Sequence, residues 1–87
     1  MKKVSEFQAK QLVLLDEIAS ELKEKYPGRR SDVELTVTTL KHSLDLLSTL
    51  HPYSVYRYLR NLHAATSKYS EFRRALPTIE EVKELLK

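Results

Sequence analysis

The sequence predicts an all-α protein: a single helical domain over residues 1–87, folded as a compact bundle of four to five helices. Three observations predict it. Apolar residues recur at three- and four-residue steps through every long segment, and the one Gly and three Pro fall between those segments. Only one short stretch alternates as a strand does, and it has no second strand to pair with.

In the first segment, Phe7, Leu14, Leu15, Ile18, Leu22 and Tyr26, joined by Leu12 and Ala19, mark one helix face. Ser5 with Gln8 three residues on fits a capping box, so a helix is expected over 5–25. Tyr26-Pro27-Gly28-Arg29 suits a type II turn, in which Pro fixes the first central dihedral and Gly accepts a positive φ at the second.

Ser31 and Glu34 repeat the capping-box pattern. Val33, Val37, Leu40, Leu44, Leu47 and Leu50 then continue at spacings of 4, 3, 4, 3 and 3, which predicts a helix over 32–50. Val33, Leu35 and Val37 also alternate with Glu34, Thr36 and Thr38, so a strand at 33–39 is the rival. Such a strand must pair with its copy in a dimer, as in ribbon-helix-helix proteins. As a helix, the segment carries a second stripe of Leu35, His42 and Leu46 with Thr39 between. Two apolar faces on one helix point to a central helix or a dimer interface, and a homodimer is expected because 33–50 has more apolar surface than one partner helix can cover.

Pro52 suits the first turn of a helix, and Val55, Tyr58, Leu59, Leu62, Ala65 and Tyr69 fall on one face, giving a third helix over 53–68. Phe72 and Leu76 leave that phase, so a short fourth helix is placed at 70–76, ending before Pro77. Thr78 and Glu81 form a third capping box for a last helix bearing Ile79, Val82, Leu85 and Leu86.

Several function classes drop out on composition. With no Cys there is neither a disulfide framework nor a thiolate metal site. The longest apolar run, Leu12 to Leu15, is four residues, too short for a membrane span or a signal-peptide core, so a cytoplasmic location is expected. One Gly cannot build a phosphate-cradling loop, and no Ser sits in a nucleophile-elbow context. His42, His51 and His63 are nine and twelve residues apart, without the one-turn spacing of a metal-binding pair. Asp16-Glu17 and Glu80-Glu81 diverge around their helices and share no site. No catalytic residue, metal, cofactor or small-molecule substrate is expected.

Charge is unevenly placed. Residues 1–50 hold eight basic and eight acidic side chains, whereas residues 51–76 hold Arg57, Arg60, Lys68, Arg73 and Arg74 against Glu71 alone. Four of the five tyrosines, Tyr53, Tyr56, Tyr58 and Tyr69, share that segment. Opposite its apolar face, the third helix gathers Tyr53, Arg57, Arg60, Asn61, Ala64 and Lys68 within a sector about 120° wide. Guanidinium groups one turn apart, an amide and phenol hydroxyls donate to phosphates and reach base edges.

Around residues 44–63, helix, short turn and Ser54-Val55-Tyr56-Arg57-Tyr58-Leu59-Arg60 resemble the second and third helices of helix-turn-helix proteins. The chain departs from that pattern with His51-Pro52-Tyr53 where a Gly is customary and Asp45 where a small Ala packs. Ser54 to Leu62 and the later Leu76-Pro77-Thr78-Ile79-Glu80-Glu81-Val82 are similar to the helical core-binding domain of tyrosine recombinases, without its catalytic domain. Arg57 and His63 resemble the Arg-x4–6-His motif of HEPN ribonucleases, which implies phosphate steadying by Arg57 and acid or base work by His63.

The function expected from these residues is a small nucleic-acid-binding module, with duplex DNA as the ligand and a regulatory or accessory role. Arg57, Arg60, Asn61 and Lys68 form its face, and Arg73 and Arg74 add phosphate contacts. The alternative is a protein-interaction or assembly bundle, homodimer or adaptor, in which the second stripe and the tyrosines meet a partner.

Overall fold

A computed structural model describes residues 2–49 and 51–87. Four α-helices, α1 (Lys2–Lys25), α2 (Arg30–Asp45), α3 (Pro52–Lys68) and α4 (Ile79–Leu86), are joined through 3-10 segments at Pro27–Arg29, Leu46–Thr49 and Ser70–Ala75. Among the described residues there is no strand, and no helix is long and apolar enough to cross a membrane.

α1 begins upstream of its expected cap, because Val4 packs against the core and draws the helix back past Ser5. Gln8, the expected partner of Ser5, donates instead to the Leu44 carbonyl of α2 at 3.0 Å. Phe7, Gln11, Leu15, Ile18, Ala19 and Leu22 form the buried face.

The turn falls where expected and closes with the expected i to i+3 hydrogen bond, but with a different dihedral at Gly28. The Arg29 N–H donates to the Tyr26 carbonyl at 2.9 Å, and Gly28 sits in a 3-10 turn without the positive φ of a type II turn. The chain winds straight from this turn into α2, so Ser31 lies inside the first helical turn and caps nothing. Glu34 pairs with Lys23 of α1 instead.

The segment that alternates like a strand is helical. Thr36 and Thr39 donate their hydroxyls to the carbonyls four residues back, those of Asp32 and Leu35, at 2.9 Å each. Val33, Val37, Leu40 and Leu44 are buried. The α-helix stops at Asp45, five residues short of expectation, as the chain tightens to 3-10 geometry. There the hydroxyls of Ser48 and Thr49 donate to the carbonyls of Asp45 and Leu46 at 2.8 and 2.7 Å, while Leu47 stays in the core. Leu50, the last apolar position of the expected helix, lies outside the described residues.

α3 starts as its residues dictate. Pro52 occupies the first turn, and the Tyr53 N–H donates to Nδ1 of His51 at 3.1 Å. Its buried face is Ser54, Val55, Tyr58, Leu62 and Ala65, which reaches across the core to α1 at Tyr58. There the Tyr58 hydroxyl donates to Oε1 of Gln11 at 2.5 Å, and Phe7 and Tyr58 meet edge to face at 6.2 Å. Burial pushes the Tyr58 phenol up, so it remains a donor. The expected fourth helix is a 3-10 segment that inserts Phe72 and Ala75 beneath α1 and α3. The third capping box forms as expected: the Glu81 N–H donates to Thr78 at 3.1 Å, and the Thr78 N–H donates to the Glu81 carboxylate at 3.2 Å.

Side-chain contacts fix the relation of α2 to α3. Thr49 meets Ser54 at 2.9 Å, Asn61 meets Ser43 at 2.5 Å and Lys68 meets Asp32 at 2.6 Å. As one number falls the other rises, so the two helices lie antiparallel along their whole length. A helix-turn-helix pair crosses at about 90–120° and touches only near its turn. The pair at 44–63 is therefore an α-hairpin, and His51-Pro52 in place of a glycine turn is consistent with that geometry.

Candidate nucleic-acid interface

The side of α3 turned away from α1 is the candidate surface. Arg57 and Arg60 are exposed there, and among the described residues neither has a carboxylate partner. Tyr53 and Tyr56 beside them are 56% and 59% exposed, and Ala64 continues the face one turn on.

The remaining expected residues are engaged within the fold. Asn61 is half-buried and donates to the buried Ser43 hydroxyl. Lys68 binds the Asp32 carboxylate, which also accepts from the Tyr69 hydroxyl. The Lys68 hydrogen bond first, then that of Tyr69, hold the Asp32 carboxyl below the usual carboxylate range. The same bond to Asp32 raises the Tyr69 phenol. Arg74 pairs with Glu21 of α1 at 2.7 Å. Arg73 is exposed without a carboxylate partner. Of the six residues expected to contact nucleic acid, the structure leaves Arg57, Arg60 and Arg73 free and ties down Asn61, Lys68 and Arg74.

The division follows residue type across the molecule. Among the described residues, ion pairs take up Lys3, Lys10, Lys23, Lys25, Lys41, Lys68 and Lys87, leaving Lys83, but only Arg74 among the arginines. Glu71, the one acid in the basic segment, is bound by Lys25 at 2.9 Å and held below its usual range chiefly by that bond. Exposed pairs of this kind contribute little each, because water and salt screen them. A phosphate competes with them, but it meets a bare guanidinium without having to displace anything.

Two grooves flank α3. On the α2 side, Leu35, Thr39, Leu40, Asn61, Ala64 and Lys68 line a shallow depression of about 240 Å³. Leu35 is 64% exposed, so the second stripe of α2 is solvent-facing, with His42 exposed and Leu46 half-buried. On the α4 side, Leu59, His63, Leu76, Ile79 and Val82 line a groove of about 290 Å³. His63 faces α4, while Arg57 lies round the helix at about 120° from it. The two are not brought together as the ribonuclease-like motif requires.

Among the described residues no three His, Asp or Glu side chains gather as a metal site. The sequence carries no sign of which of these side chains are engaged, because the partners of Asn61, Lys68 and Arg74 lie 18, 36 and 53 positions away. No protein-family model, curated protein or solved structure matches the chain.

Proposed function

We propose that the protein is a nucleic-acid-binding module that uses the outward face of α3, in a regulatory or accessory role and without a cofactor. The observation that carries this is the pair Arg57 and Arg60, exposed one turn apart on a helix that contains no acidic residue and, among the described residues, without a carboxylate partner, while seven lysines are engaged in ion pairs. Planar guanidinium forks suit phosphate oxygens better than ammonium groups do. Arg73 adds a third unpaired fork, and Lys68 and Arg74 join it where a phosphate displaces Asp32 or Glu21.

The test is fluorescence anisotropy of labelled nucleic acid at several salt concentrations between about 50 and 200 mM. Binding should weaken steeply with salt. The Arg57→Ala, Arg60→Ala double variant should flatten the logarithmic salt slope by roughly 1.4–1.8 and leave the helical circular dichroism intact. An unchanged slope would remove α3 as the contact surface.

A second reading, assembly as a homodimer, is favoured by Leu35, which is 64% exposed beside Ala64 in the α2–α3 groove. Sedimentation of the wild type and of Leu35→Asp tests it: a dimer that dissociates in the variant supports that surface, and a monomer throughout removes it.

A further inference from the structure

We infer that the ligand of the α3 face is single-stranded nucleic acid, held by its unpaired bases as well as its phosphates, rather than the duplex expected from sequence. The inference rests on the nucleic-acid reading above and names its ligand class.

Its basis is what surrounds each tyrosine. Tyr58 and Tyr69 are buried and hydrogen-bonded to Gln11 and Asp32, and Tyr26 is half-buried against the Tyr69 ring with Lys25 and Arg29 over it. Tyr53 and Tyr56 are more than half exposed. Tyr53 makes one edge contact, with the His51 ring at 6.4 Å, and Tyr56 has no aromatic or cationic partner among the described residues. Two large apolar rings are thus left facing water at the start of α3.

Each ring is followed four residues on by an unpaired guanidinium, Tyr53 by Arg57 and Tyr56 by Arg60. That spacing puts side chains about 5–6 Å apart on one helix face. The result is two tyrosine–arginine rows side by side, each offering a flat surface for a base and a fork for the neighbouring phosphate. Stacking on such a ring is open to any base whose face is free. In a duplex the base faces are already covered by their neighbours, so the rings have nothing to stack on.

The shape of the face argues the same way. A major groove about 12 Å wide admits one helix of about 10–12 Å diameter. α3 does not stand clear as such a helix: α2 lies along one side of it for its whole length, and α4 covers the other around Leu59 and Val82. A single strand needs only a surface to lie across, and Ala64 leaves room for it beside the arginines.

The test uses the full chain with labelled strands of about 12 nucleotides, as single-stranded DNA, single-stranded RNA and duplex DNA of one sequence. Tyr53→Ala, Tyr56→Ala and Tyr53→Phe, Tyr56→Phe double variants, checked by circular dichroism, accompany the wild type. The expected result is single-strand binding about tenfold or more tighter than duplex binding. The alanine variant should lose about tenfold or more on single strands while its duplex affinity stays within about twofold, and the phenylalanine variant should keep wild-type affinity. The DNA and RNA arms then assign the sugar. Equal or tighter duplex binding, an alanine variant that binds single strands as well as wild type, or a phenylalanine variant that fails as the alanine one does would each overturn the inference while leaving the nucleic-acid reading standing. No binding to any of the three at about 50 mM salt would overturn both.

Discussion

The two halves of α3 carry similar residues and use them in opposite ways. In the first half, Tyr53, Tyr56, Arg57 and Arg60 face solvent without carboxylate partners. In the second, Asn61, Lys68 and, just beyond the helix, Tyr69 are bound to Ser43 and Asp32 of α2. The difference teaches that a basic helix is not a basic surface. Lys68 contributes to the positive count of the segment, yet Asp32 has already answered its charge. The exposed side of the first half makes no such bond to the rest of the fold, while the second half helps to hold α3 against α2.

The comparison breaks outright if the packing beneath it is wrong. Leu44 is fully buried under the hairpin, so Leu44→Asp should abolish the helical circular-dichroism signal at room temperature. A folded variant would mean that α2 presents a different face. Next in size is Val37→Pro, which removes a helical hydrogen bond and clashes one turn back. It should cost about 3 kcal/mol or more in chemical denaturation, and a small effect would contradict a continuous α2.

Asp32→Asn sharpens the contrast between the halves. It releases Lys68, so nucleic-acid affinity should rise and the logarithmic salt slope steepen by about 0.7–0.9, at the expense of a slightly lower melting temperature. An unchanged slope would place the second half of α3 outside the contact surface altogether. Acid should act in the same direction. Asp32, Glu71 and Glu84 have carboxyl groups lowered in the folded protein, chiefly by Lys68, Lys25 and Lys3. Their stabilisation is complete above the ordinary carboxylate pKa of about 4 and is lost as pH falls through the lowered values. Melting temperature should therefore decline below about pH 4, and a flat profile there would show that these pairs contribute nothing.

Helix phases were legible because they are local. The spacing of Val33, Val37, Leu40 and Leu44 identifies the buried face of α2 without reference to any other element. Caps were legible only where nothing upstream competed. Thr78 and Glu81 close their box after Pro77, whereas Val4 and the tight turn at Pro27–Arg29 start their helices ahead of Ser5 and Ser31. The strand-like alternation of 33–39 misleads because Thr36 and Thr39 satisfy their hydroxyls within a helix as readily as valines fill a core. Of the candidate surface, Arg57 and Arg60 were legible from their position opposite the apolar stripe. The engagement of Asn61, Lys68 and Arg74 was not, since it depends on helices brought alongside by the fold.

α1 meets α3 only across the core, at Tyr58, and its own outward side shows Glu6, Glu17 and Glu24 to solvent. Because Lys3, Lys10, Lys23 and Lys25 of α1 are each answered by a carboxylate of another element, these glutamates are, among the described residues, the unanswered charge of that side, as Arg57 and Arg60 are of α3. On the proposed reading, in which α3 meets a polyanion, such a separation would add a turning force to the attraction, so that the protein would arrive with α3 forward and fewer encounters would be wasted in wrong orientations. Diffusional capture, and not only residence once bound, would then be sensitive to ionic strength, and the three glutamates of α1 would contribute to association without touching the ligand.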